Sequence, residues 1–285
     1  MLADARQGRF NFMNVVKSAV QSIGWQVEWR EASAPELARS CTRGGYAMFH
    51  MKHSGAENAL CFRRSYHYPF WSITPHSERW RSDVARATFD AASIDPDAAR
   101  DFTGRLRRRV WRDTKPREGD YILIPLQGKI SEQRSFQTCA PLSMVDAIAR
   151  TGRRAIATLH PRESYSHAER AALDRIAARW PNLTIGGDSR ALLPDCSFVA
   201  TMNSAVAFDG YIIGKPAVLF AQIDFHHIAL NVAELGIDAA IERAPGHRPD
   251  FDAYLTWFLG HSINARAEDA EQQVLAAMKK GGWPI

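Results

Sequence analysis

The alternation of short apolar runs with helix-forming segments between Tyr121 and Phe220 restricts this chain more than any other feature. Tyr121-Ile-Leu-Ile-Pro-Leu126, Arg154-Ala-Ile-Ala-Thr-Leu159, Leu183-Thr-Ile185, Ser197-Phe-Val-Ala-Thr-Met202 and Ala217-Val-Leu-Phe220 read as strands. They are apolar without a polar alternation, which is the pattern of parallel strands covered on both faces. Helical stretches separate them. Pro141 to Arg150 stops at Thr151-Gly152, and Ser166 to Trp180 ends before Pro181. Asn203 to Ile213 stops at Gly214. Ser166 with Glu169 three residues on has the form of a capping box, and a glycine after a helix supplies its left-handed stop. Four or five such βα units in about a hundred residues specify a doubly wound α/β domain, here placed at 117–285 after the polar break Lys115-Pro-Arg-Glu-Gly-Asp120.

The first half, 1–116, is expected to form a separate α/β domain. Phe12 to Ile23 is a helix ended at Gly24, and Trp25 to Trp29 and Tyr46 to His50 are strands. A chain of 285 residues with 46% hydrophobic content and 8 Trp, 14 Phe and 7 Tyr has material for two cores, which excludes disorder. The last segment, from Phe251 on, is helical. Cys41, Cys61, Cys139 and Cys196 show no CxxC spacing, so they are expected as small buried hydrophobes without a metal site or disulfide. No apolar run is long enough to span a bilayer and the first ten residues are charged, which predicts a cytoplasmic protein.

Charge is uneven. Residues 1–116 hold 19 of the 36 Lys+Arg but 12 of the 31 Asp+Glu, so the net +5 arises from the first half. The densest patch, Arg105 to Arg112, suits an anionic membrane, an acidic glycan or nucleic acid, or is a solvated helix face. Nucleic acid is disfavoured because no recognition motif accompanies the patch. Arg63 to Trp71 mixes cations and aromatics, with Arg64 and His67 as candidates for a polar ligand wall; a loop packed on the core by its aromatics is the plainer alternative.

Ligands of open α/β sheets bind beyond the carboxyl ends of the strands. Those ends carry Gln127-Gly128-Lys129, His160-Pro161 and Asn203-Ser204. Asn203 caps a helix whose free N–H groups, with Ser204, suit a phosphate. Asp209 offers a carboxylate to ribose hydroxyls, and Pro161 holds His160 extended, aimed across the cleft as an acid or phosphate donor. Each has a plain alternative as an ordinary capping, solvated or packed residue. The GxGxxG and GxxxxGK[ST] loops are missing. The Asp-x-Asp pair Asp95-Pro-Asp97 is placed in a surface loop, so no metal is expected.

Ile124-Pro-Leu-Gln127, Leu159-His-Pro161, Leu192 to Ser204 and Gly214-Lys-Pro-Ala-Val218, in that order, resemble the capsule polysaccharide biosynthesis/export family, which is similar to β-Kdo transferases. The resemblance covers residues 121–230. It implies a GT-B arrangement of two Rossmann-like domains and a glycosyltransferase that takes a nucleotide-sugar, such as the CMP form of Kdo or a related acid sugar, to a glycan or glycolipid acceptor, without a cofactor. His160 would then face the donor phosphate or leaving group, Asn203 and Ser204 would hold phosphate, and Gln127 and Gly128 would line the site. The family has an acidic residue soon after Pro-Leu-Gln; the first here is Glu132, beyond Gly128-Lys-Ile-Ser131, and it joins His160 as a catalytic candidate. The alternatives are a nucleotide-sugar epimerase or hydrolase, and a non-catalytic nucleotide-binding protein of polysaccharide assembly.

Overall fold

The computed structural model describes residues 1–285. The chain begins with helices α1 (Leu2–Arg6), α2 (Asn11–Ser22) and α3 (Ala34–Ser40), then strands β1 (Ala47–His50), β2 (Ala59–Arg64) and β3 (Phe70–Thr74). Helices α4 (Asp83–Arg86) and α5 (Pro96–Trp111) lead to β4 (Ile122–Pro125), α6 (Pro141–Ala149), β5 (Ala155–Thr158), α7 (His167–Arg179) and β6 (Leu183–Ile185). There follow α8 (Ser189–Leu192), β7 (Phe198–Thr201), α9 (Ala205–Ile212), β8 (Ala217–Leu219), β9 (Leu230–Asn231), α10 (Val232–Leu235) and α11 (Ile237–Arg243). The chain closes with α12 (Phe251–Gly260), β10 (Ile263–Asn264) and α13 (Ala270–Lys280).

Two compact units result: residues 1–86 with 258–285, and residues 87–257. The division differs from a cut near residue 116 at both ends. Helix α5 belongs to the second unit, where Arg107 donates to the Ile212 carbonyl and Thr103 to Asp252. The C-terminal segment belongs to the first, where β10 pairs with β3 and Val274 and Met278 of α13 enter the core.

The second unit is a six-stranded sheet in the order β6-β5-β4-β7-β8-β9, parallel at every pairing. Numbered within the unit this is 3-2-1-4-5-6, the doubly wound order whose direction reverses between β4 and β7. The central strands β4, β5, β7 and β8 are buried along their whole length, as their unbroken apolar runs require. Val145 and Ile148 of α6 and Leu173 of α7 join Ile122, Ile124, Ala155 and Ala157 in one core. The Ser166–Glu169 capping box forms as expected.

In the first unit β1 and β2 are parallel and β3 runs antiparallel between β2 and β10. Phe12 of α2 stacks on Trp71 with ring centroids 4.6 Å apart, at the centre of a core completed by Val16, Leu60, Phe62 and Met278. Trp25 to Trp29 forms no strand. Its alternation is real, since Trp25, Val27 and Trp29 all turn toward this core, but no neighbouring strand pairs with its backbone. Residues 63–71 are the facing ends of β2 and β3 and the turn between them, with Arg64 opposite Trp71. Cys41 is exposed, unlike the buried Cys61 and Cys196. Asp95 is exposed at the end of the loop before α5 and caps that helix, accepting from the Asp97 and Ala98 N–H groups, while Asp97 lies in its first turn.

Candidate functional site

The carboxyl edge of the six-stranded sheet gathers most of the expected residues. Gln127 and Gly128 follow β4, His160 follows β5, and Asn203 and Ser204 follow β7. The loop from Leu126 to Ala140 crosses this edge. It leaves β4 and is pinned to the end of β8, beyond β7: Gln137 bridges Ala221, Thr138 donates to the Phe220 carbonyl at 2.8 Å, and Gln222 donates to the Phe136 carbonyl at 2.9 Å. The loop therefore passes over the point where β7 delivers Asn203 and Ser204. The Gln127 Oε1 and Gln137 Nε2 atoms are buried and unpartnered, so this loop holds an acceptor and a donor that the protein itself does not satisfy.

His160 is half-buried. Its backbone N–H donates to the Tyr165 hydroxyl at 2.9 Å, and its Nδ1 accepts from the Arg162 N–H at 3.2 Å. An acceptor at Nδ1 places the proton of the neutral ring on Nε2, the tautomer able to donate to a phosphate oxygen. Burial raises the Tyr165 phenol above its ordinary value, against the opposing pull of the His160 N–H bond.

Ser204, not Asn203, caps α9. Ser204 is 6% exposed, and its hydroxyl accepts from the Val206 N–H at 3.3 Å and keeps its own proton to donate. The short serine reaches the first turn, while the Asn203 amide turns aside to the Gln222 carbonyl at 3.4 Å. Asp209 lies away from this rim. It is the fifth residue of α9, roughly 7 Å down the helix axis, where its carbonyl accepts from the Trp111 indole of α5.

Glu132 is exposed and paired with Lys129 at 3.2 Å. Glu169 is more firmly held. One carboxylate oxygen accepts from the Ser166 N–H and hydroxyl at 2.8 and 2.9 Å, and the other from the Ile130 N–H at 2.9 Å. The Ser166 N–H foremost, with the other donors, keeps this carboxyl below its ordinary range. Glu169 thus ties the loop after β4 to the start of α7, a link that the capping-box pattern gave no means of seeing. Sequence reasoning also passed over Glu163. It sits one turn beyond His160, its N–H donating to the His160 carbonyl at 3.2 Å, and its carboxylate lies against Gly128, where any Cβ would overlap it.

Arg64 and His67 belong to the first unit and are not part of this edge. The Arg64 guanidinium lies 5.2 Å above the Trp71 ring, and His67 shapes the turn into β3 through its carbonyl bond from the Phe70 N–H. Burial, then Arg64 and Arg63, lowers the neighbouring His50 below the usual imidazole value. In the Arg105–Arg112 stretch, Arg107 is taken up by Ile212 and Asp252, while Arg105, Arg108 and Arg112 are exposed.

No family model matches the sequence, and no curated protein matches it. Among solved structures, the β-Kdo 2,7 transferase KpsC of Thermosulfurimonas dismutans superposes with a TM-score of 0.52 at 13% identity, covering 91% of this chain and 94% of that one. The likeness is one of fold, a Rossmann-like GT-B architecture. A glycosyltransferase from Rickettsia africae overlaps more loosely, with a TM-score of 0.39 at 12% identity over 88% of this chain and 66% of its own. None of the helices is long and apolar enough to cross a membrane.

Proposed function

We propose that the protein is a glycosyltransferase that transfers a sugar from a nucleotide donor seated on the carboxyl edge of the six-stranded sheet. The observation that carries this is that His160, after β5, and the Ser204-capped start of α9, after β7, stand at the same carboxyl edge of a 3-2-1-4-5-6 sheet, on either side of β4. Both supply positive or donor groups suited to phosphate. In transfer, an acceptor hydroxyl oxygen bonds to the anomeric carbon and gives up its proton. The bond from that carbon to the phosphate oxygen breaks, and the nucleotide leaves with the electron pair. His160 would stabilise the charge that grows on the departing phosphate. Glu132, exposed on the loop after β4, is the candidate to take the acceptor's proton. An acid sugar such as Kdo carried on CMP as donor, and a glycan or glycolipid as acceptor, is the form of this reading that the resemblance of the 121–230 motifs implies, and a solved structure of like fold is a β-Kdo transferase.

A thermal-shift series with CMP, UDP and GDP tests the donor. A nucleotide at about a hundred times its Kd stabilises the native state by about 2.7 kcal/mol. The reading further requires His160→Ala to bind nucleotide normally while donor hydrolysis falls by about 10²–10⁴. A protein that no nucleotide stabilises, or a folded His160→Ala variant at full activity, contradicts it.

A further inference from the structure

We propose that the first unit holds a binding site for a neutral sugar residue, in the cavity formed by the start of α2, the turn before β3 and the turn between β10 and α13. The site is independent of the donor edge, since every residue that lines it belongs to the first unit. Its volume is about 540 Å³, inside the range of about 300–1,000 Å³ usual for small-molecule sites. Two of the lining residues are the buried Ala265 and Ala270, whose single methyl groups leave the space open.

The polar groups of this cavity hold one another in place. The Tyr68 hydroxyl accepts from the Asn11 amide at 3.3 Å and from the Arg266 Nε at 3.0 Å. The Asn11 amide also donates to the Ala265 carbonyl at 2.8 Å, and the Asn264 side chain fixes the turn by accepting from the Arg266 N–H at 3.0 Å. With both lone pairs of its hydroxyl taken, Tyr68 has only its proton left to offer, and no group of the protein accepts it. The Asn11 Oδ1 receives no donor, and the Glu268 and Glu271 carboxylates line the same cavity without an ion-pair partner. The cavity thus combines donors, from Tyr68 and the remaining N–H groups of Arg266, with three acceptors. A hydroxyl both donates and accepts, so a ring of adjacent hydroxyls satisfies such a set. Two carboxylates repel a phosphate or an acid group, which is why the sugar is a neutral one.

Saturation-transfer NMR titrations test the site on the wild-type protein, Glu271→Gln and Tyr68→Phe, with melting temperatures to show that the variants are folded. The probes are the methyl glycosides of glucose, galactose and N-acetylglucosamine, with glucuronic acid as the anionic comparison. At least one neutral glycoside is expected to bind the wild type, and more tightly than glucuronic acid. Glu271→Gln should weaken that glycoside by about ten- to a hundredfold, the span of a hydrogen bond to a charged group, and Tyr68→Phe by about three- to tenfold. A wild type that binds none of the glycosides, or that prefers glucuronic acid, overturns the site, and so does either folded variant at wild-type glycoside affinity. Nucleotide binding is read separately by calorimetry: a protein that binds a glycoside in this way but no nucleotide contradicts the donor reading and leaves this inference standing.

Discussion

Removing the Glu169 carboxylate should loosen two loops at once, and the structure sets the scale. Glu169→Ala deletes the reciprocal half of the capping box at α7 and leaves the Ile130 N–H without its acceptor. A lost cap costs about 1 kcal/mol, and an orphaned, partly buried N–H about 1–2 kcal/mol, for about 2–3 kcal/mol in all. In a unit of 171 residues, 87 to 257, that corresponds to a fall in melting temperature of about 5–10 °C. Glu169→Gln keeps an acceptor for one set of donors and should lose about half as much. The pH dependence separates this account from a loss of packing. The folded carboxyl titrates below its ordinary value of 4.5, so its contribution is complete above that value and disappears as the pH falls through the lowered one. Melts followed by circular dichroism from pH 7 to pH 3 should therefore show the wild-type and Glu169→Gln curves converging in acid. A gap that persists unchanged at the acid end, or no gap at pH 7, would refute the argument.

Two further outcomes concern stability away from the ligand edge. Gly119→Ala would set a Cβ on the Asp195 carbonyl, with its carbon at 2.6 Å, so backbone must shift; destabilisation by about 3 kcal/mol, read from urea unfolding, is expected. Lys215, 6% exposed, donates to the Cys196 and Arg117 carbonyls at the amino edge of the sheet. Lys215→Met orphans both and should cost about 2–5 kcal/mol in the same assay while leaving nucleotide affinity of the folded protein unchanged in calorimetry.

The sequence by itself determined the second unit. Its strands are short, largely apolar and punctuated by Gly, Pro and capping residues, so periodicity and stop signals locate β4 to β8 and α6, α7 and α9 within a residue or two, and with them the positions of Gln127, His160 and Ser204. These are local properties, fixed by the φ/ψ preferences and burial of neighbouring residues. In the first unit the same rules misjudged Trp25 to Trp29, because an alternating pattern reports which side chains are buried and says nothing of whether a partner strand lies alongside. They also missed the pairing of β2 with β3, where Arg63 and Arg64 interrupt the apolar pattern: the buried Arg63 guanidinium donates to the Ser77 carbonyl and the Thr74 hydroxyl. Only the tertiary structure decided that Phe258 to Ile285 returns to the first unit, since the pairing of β10 with β3 joins residues nearly two hundred positions apart. It alone set Asp209 down α9 beside Trp111 and brought Glu163 against Gly128. A carboxylate's usefulness depends on which strand end it shares with other groups, and that is set by the order in which the strands assemble.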